Sequence, residues 1–146
     1  MSKKCIVAIS GGFDPIHIGH IRYIQESSKL GDELVVILNN DNWLTNKKGF
    51  SFMPETERRE ILESIRGVDK VVITDHKLGD DDRSVCRALK EIKPDIFANG
   101  GDRKPDGDPV PEVLLCSEFG IDVVYNVGDG GKVQSSSWLL ARNTKD

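Results

Sequence analysis

The chain is predicted to fold as a doubly wound α/β domain, a parallel sheet with helices on both faces. Two observations predict it. Short apolar runs of strand length alternate with stretches whose apolar residues recur at helical spacing, from Cys5 almost to the C-terminal end. The two connections too long for simple loops, residues 40–53 and 99–110, both follow predicted strands, so both should overhang one edge of the sheet. At 146 residues the chain makes one domain over 1–146, enough to bury roughly two-thirds of its unfolded surface without disulfides or metals.

Cys5 to Ile9 reads as a buried strand bounded by the turn pair Gly11-Gly12. Ile18, Ile21 and Ile24 open a helix that closes at Leu30-Gly31-Asp32, where glycine can end it. Glu33 to Asn39 is a second strand. Pro54 to Arg66 is a helix with proline in its first turn and Gly67 as terminator. Val68 to Thr74 is a third strand, and Asp81 to Lys93 a helix with acids at its start and Pro94 beyond its end. Asp95 to Ala98 is a short strand, Pro111 to Phe119 a helix stopped by Gly120, Ile121 to Val127 the fifth strand and Ser135 to Arg142 a last helix. Strict alternation of this kind calls for right-handed crossovers and a Rossmann-like five-stranded parallel sheet, order 3-2-1-4-5. Ligands then bind beyond the strands' C-terminal ends.

Residues 11–20, Gly-Gly-Phe-Asp-Pro-Ile-His-Ile-Gly-His, lie at that edge. A glycine-rich turn from strand to helix offers backbone N–H groups at the positive end of the helix, a site for phosphate. His17 and His20 fall on nearly one side of the first helical turn, where two imidazoles can grip one polyphosphate. Gly19 between them would let a base or ribose approach the backbone.

This string resembles the (G/T)xFDxxHxGH element of the nucleotidyltransferase superfamily. Nearly the whole chain is similar to its cytidylyltransferase-like branch, which includes glycerol-3-phosphate cytidylyltransferase, heptose-1-phosphate adenylyltransferase domains and archaeal FAD synthetases. The resemblance implies nucleotidyl transfer to a small phosphorylated substrate with release of pyrophosphate. His17 and His20 would touch the α- to γ-phosphates, with Gly11, Gly12, Phe13 and Asp14 around the nucleotide. Asp14 reads equally as a turn aspartate capping local N–H groups. Gly12 stands where many relatives carry threonine.

Lys47 and Lys48 lie in the first long connection, either as solvated lysines or as a lid over the phosphates. Relatives carry Lys-Gly near here, which makes Lys48 before Gly49 the better match and Lys47 the reserve. The family places a substrate- or phosphate-facing arginine at Arg58 or Arg59, and Asp41 is a further substrate-binding candidate. Gly101, Asp102 and Arg103 resemble a Gly-Gly-Asp segment that contacts ribose, base and phosphate; a plain turn is the alternative. Gln134, Ser135, Ser136 and Ser137 resemble the Ile-Ser-Ser/Thr-Thr motif that holds β- and γ-phosphates, with Gln134 in place of the apolar residue. Leu140 stands where NMN and pantetheine-phosphate adenylyltransferases carry arginine. His76 faces either substrate or solvent, and Asp80-Asp81-Asp82 fit a helix dipole better than a metal cluster.

Net charge is −4, from 20 Lys+Arg and 24 Asp+Glu, which advertises no nucleic-acid surface. Cys5, Cys86 and Cys116 read as reduced core residues. With no apolar span of about 18 residues, the expected compartment is the cytoplasm, with no membrane partner. The expectation from sequence is CMP transfer from CTP to a phosphorylated polyol, sugar or alcohol. Alternatives are adenylyl transfer from ATP to heptose 1-phosphate or FMN, and a non-catalytic nucleotide-binding module. Mg²⁺ would arrive with the triphosphate, and a homodimer is the family's expectation. A dehydrogenase is disfavoured, since residues 10–20 lack G-x-G-x-x-G.

Overall fold

The computed structural model describes residues 4–100, 111–125 and 127. Its sheet has five parallel strands in the order expected: β1 (Ile6–Gly11), β2 (Glu33–Leu38), β3 (Lys70–Ile73), β4 (Ile96–Ala98) and β5 (Asp122–Val124), arranged β3-β2-β1-β4-β5. The helices are α1 (Ile18–Ser28), α2 (Asp41–Lys48), α3 (Glu55–Glu63), α4 (Cys86–Ile92) and α5 (Pro111–Phe119). The two-residue repeat of β1 separates its side chains between two cores. Val7 and Ile9 pack with Val36, Leu38, Ile24 of α1 and Leu62 of α3. Ala8 packs on the other face with Ile37, Phe97, Leu89 of α4 and Leu115 of α5. Both faces are therefore dry, as an all-parallel sheet requires.

Three aspartates fix the register at the N-terminal edge. Asp32, Asp69 and Asp95 each stand just before a strand, and each carboxylate accepts from the first amides of the strand beside it. The bonds are Cys5 N, Leu34 N and Ile6 N to Oδ2, all at 2.8 Å. Their own amides return to Cys5 O, Leu34 O and Ile6 O at 2.8–3.0 Å. This edge is closed by its own side chains; the opposite edge is left to the site.

Several boundaries differ from expectation. The first helix ends at Ser28, with Lys29 in the right-handed region as its cap. Gly31 therefore serves a close approach: a Cβ there would lie 2.7 Å from Val7 Cγ2 and 2.8 Å from Cys5 O. Residues 41–48, expected as a loop, form α2. Asn40 Oδ1 accepts from Trp43 N at 2.8 Å, Leu44 is buried, and Gly49 ends the helix at φ 89° with its amide bonded to Thr45 O. Helix α4 begins at Cys86, not Asp81. Asp80 and Asp82 instead build turns, accepting from Lys77 N and from Ser84 N and Oγ, so the helix-dipole reading fails. His76 is buried at 3% exposure, its Nε2–H donating to Ser84 O and its Nδ1 facing the Thr74 hydroxyl, both at 2.9 Å. It faces neither solvent nor substrate. Cys116 is buried as expected; Cys5 and Cys86 are partly exposed. Among the described residues no helix is long and apolar enough to cross a membrane.

The connections above the C-terminal edge converge on one guanidinium. Arg58, 1% exposed, donates Nε–H to Met53 O at 2.8 Å, Nη1–H to Gly12 O and Asn39 O at 2.8 and 2.7 Å, and Nη2–H to Asp41 Oδ1 at 2.6 Å. Every nitrogen of that planar fork is used, Nε on Met53 five residues before it and the two Nη on segments 17 to 46 residues away. Arg59 lies outside, paired with Glu63 at 3.3 Å.

Two outcomes follow from these contacts. Arg58→Met leaves three carbonyls and one carboxylate without their cation and should cost about 3 kcal/mol in urea unfolding, whereas Arg59→Met should stay within about 0.5 kcal/mol of the parent. Gly31→Ala should lower stability by roughly 1–3 kcal/mol, because its methyl meets backbone and a core valine.

Candidate active site

The turn after β1 is shaped by steric exclusion. Phe13 takes a left-handed conformation at φ 49° and is 3% exposed; a Cβ on Gly11 would lie 3.1 Å from its ring. At Gly12 a Cβ would sit 3.0 Å from Leu44 Cδ2 of α2. A side chain at Gly12 would therefore press on the end of the Leu44 side chain.

His17 and His20 cap α1 reciprocally. His17, extended at φ −144° and ψ −179°, is the N-cap residue, and its Nδ1 accepts from Gly19 N at 3.1 Å. Its own amide donates to His20 Nδ1 at 3.1 Å. The arrangement is a capping box built from two imidazoles in place of Ser and Glu. Because both Nδ1 atoms accept, the hydrogen-bond network assigns the ring proton to Nε2 in each. The rings stack at 3.9 Å and 27°, and Phe13 meets His20 edge-on at 5.0 Å. Burial, and then the neighbouring His17, push the His20 pKa down to about 4. Near neutral pH His20 is therefore an uncharged donor. Gly19 also makes room for its neighbour: a Cβ there would lie 3.0 Å from His17 Cε1.

Both rings line a cavity of about 600 Å³ over the C-terminal edge of β1, together with Gly11, Gly12, Phe13 and Gly19. Lys47 lines it as well, its Nζ 4.9 Å from the centre of the Trp43 ring, which forms part of the same wall. Lys48 does not. Its Nζ lies 3.1 Å from Asp14 O, 3.6 Å from Asp14 Oδ2 and 5.2 Å from the Phe50 ring. Of the two lysines the structure thus brings Lys47 to the cavity: successive residues at the end of a helix point about 100° apart, and the second one turns away.

Asp14 holds amides, but distant ones and not the local amides of a turn. Its side chain, 1% exposed, accepts from Phe52 N at 2.6 Å and Met53 N at 2.7 Å, fastening the segment after α2 to the segment before α1. Arg58 pairs with Asp41 and Arg59 with Glu63, and none of these three lines the cavity. Gly101, Asp102, Arg103, Gln134, Ser135, Ser136, Ser137 and the expected last helix lie outside the described residues.

Sequence reasoning passed over Trp43, Arg83, Asn39, Asn99, Tyr23 and Glu112, all of which line the cavity. Trp43 Nε1–H donates to Arg83 O at 2.8 Å, joining α2 to the segment before α4. Tyr23 Oη–H donates to Ala98 O at 2.6 Å, joining α1 to β4. Glu112 Oε2 accepts from Val85 N at 3.0 Å. Asn39 and Asn99 stand at the first positions beyond β2 and β4, a signal available once the strand order is trusted.

Comparison with known proteins agrees with this geometry. The pattern of the cytidylyltransferase-like family matches residues 8–122. The FAD synthase of Archaeoglobus fulgidus is 38% identical over 115 residues, 79% of each chain. The bifunctional protein HldE of Geobacter metallireducens is 33% identical over 143 residues, 97% of this chain but 26% of its own length. The crystal structure of the lipopolysaccharide core biosynthesis protein from Thermoplasma volcanium superposes with a TM-score of 0.68 at 30% identity, covering 85% of this chain and 97% of that one. The chain belongs to the cytidylyltransferase-like family and is a nucleotidyltransferase.

Proposed function

We propose that this protein transfers the adenylyl group of ATP to the phosphate of FMN, forming FAD and releasing pyrophosphate. The observation that carries nucleotidyl transfer is the pair of Nε2–H donors at the N-terminus of α1, held beside the glycine turn in one cavity. The choice of adenylyl over the expected cytidylyl group rests on relatives: the proteins from Archaeoglobus fulgidus and Pyrococcus abyssi, 38% and 33% identical, are FAD synthases. A phosphorylated sugar is the second acceptor to consider, favoured by the match to the lipopolysaccharide core biosynthesis protein.

In this reading an oxygen of the FMN phosphate attacks the α-phosphorus of ATP in line. A P–O bond forms there as the bond from that phosphorus to the β-bridging oxygen breaks, and the electron pair leaves with pyrophosphate. A phosphomonoester with a second pKa of about 6 is already a dianion near neutral pH, so no general base is required. The protein's work is placement and neutralisation of charge. His17 and His20 donate from Nε2 to phosphate oxygens, and the helix N-terminus behind them adds its partial positive charge. Lys47, resting on Trp43, brings a full charge to the same space. Mg²⁺ would arrive held chiefly by triphosphate oxygens, where it would offset charge on the leaving group.

The test is FAD formation and pyrophosphate release with Mg²⁺ and each of ATP and CTP, with FMN and sugar phosphates as acceptors. ATP with FMN should exceed CTP with FMN by at least about tenfold, a difference near 1.4 kcal/mol in the transition state. His17→Asn, which retains an N-cap acceptor, and His20→Ala should each lower kcat by about 10²–10³, and Lys47→Ala should lower it more than Lys48→Ala. Equal or better use of CTP would return the reading to cytidylyl transfer.

A further inference from the structure

Asn39 carries a buried acceptor without a partner. The residue is 4% exposed and lines the cavity, and its Oδ1 has no hydrogen-bond partner among the described residues. Its backbone is fully committed: the amide donates to Gly11 O at 3.0 Å and the carbonyl accepts from Arg58 Nη1 at 2.7 Å. The backbone position is therefore fixed from both sides. An apolar residue would suit the dry end of β2, and an orphaned amide oxygen there opposes folding unless a ligand satisfies it.

The position decides which ligand. In a sheet of this order the nucleotide occupies the crevice between β1 and β4, where the connections diverge. Asn39 follows β2, on the other side of β1, on the same flank as Trp43 and Lys47. That flank is left for the second substrate. Since Asn39 N is bonded to Gly11 O, a group meeting its side chain lies close to the phosphate turn. An amide oxygen only accepts. It would repel a phosphate oxygen and be satisfied by a hydroxyl one or a few carbons away from the phosphate.

We propose that Asn39 is a specificity residue for the acceptor substrate: its side-chain oxygen accepts a hydrogen bond from a hydroxyl on the carbon chain that bears the acceptor's phosphate. The inference rests on the transferase reading above and deepens it. The acceptor class it selects is a polyol or sugar phosphate, of which FMN, with its ribityl chain, is one. A site built to meet a hydroxyl discriminates strongly against the analogue that lacks it, because the buried oxygen is left unpaired again.

The experiment measures kcat/KM for FMN and for analogues deoxygenated singly along the ribityl chain, with wild-type protein and with Asn39→Leu; thermal melting verifies the fold, and Asn39→Ala takes the place of a variant that does not fold. Wild type should disfavour one of the deoxy analogues by about 10–100-fold. In Asn39→Leu that preference should collapse to within about twofold, with the KM for ATP within about twofold of wild type. Equal use of FMN and every deoxy analogue by wild type, or a preference that persists in the variant, overturns the assignment while leaving the transferase intact. Absence of any product from ATP with FMN or sugar phosphates overturns the transferase reading, and this assignment with it.

Discussion

The reciprocal hydrogen bonds between His17 and His20 are the constraint on which the site depends. A helix N-terminus must satisfy its first amides, and here the two side chains that do so also line the cavity. By occupying both Nδ1 atoms, the cap fixes the tautomer and presents two Nε2–H groups. Stacking at 3.9 Å holds the rings as a pair, and the Phe13 edge closes the far side of His20. Burial keeps His20 neutral in the free protein, so the pair avoids the repulsion that two imidazolium ions in contact would suffer.

Around this cap, charged residues divide between structure and site. Arg58 and Asp14 bind backbone: three carbonyls for the first, two amides for the second. Together they fasten the turn after β1, the end of β2 and the segment after α2. A surface loop would not hold a phosphate turn to within a fraction of an ångström, and preorganised donors are effective only when held that way. Lys48 joins this framework through Asp14. Lys47 is left toward the cavity on the indole of Trp43. Two adjacent lysines thus have two different tasks.

The alternation of strands and helices, and the placing of His17 and His20 on one side of the first helical turn, were legible in the sequence because each rests on local pattern; that the two rings cap the helix was not. Strands buried on both faces read as continuous apolar runs, and β1, β2 and β3 fall where such runs occur. Helix α2 was hidden: Asp41–Lys48 buries only Leu44 and is polar on most sides, so it has no apolar stripe to detect. Its cap Asn40 and its terminator Gly49 were visible, and read as loop residues. Helix α4 was overextended because acids at 80–82 suit a helix start as well as the turns they form. The burial of His76 and of Arg58 was not legible, for one reason. Whether a polar side chain is buried depends on partners such as Ser84 O and Gly12 O that come from elsewhere in the chain. Asn39 and Trp43 escaped because neither belongs to a recognisable spacing; they matter through their place beyond β2.

The account's central claim is that two Nε2–H donors, locked by their own helix cap, receive the phosphates of a nucleotide. Its most direct test is the nitrogen NMR of the imidazoles, made tractable by a chain with three histidines. Long-range ¹H–¹⁵N spectra of the free protein near neutral pH should place the ring proton of His17 and His20 on Nε2 with Nδ1 as acceptor, and saturation with Mg-ATP should shift both Nε2 resonances. A proton on Nδ1 of either ring, or Nε2 signals unmoved at saturation, would contradict the account.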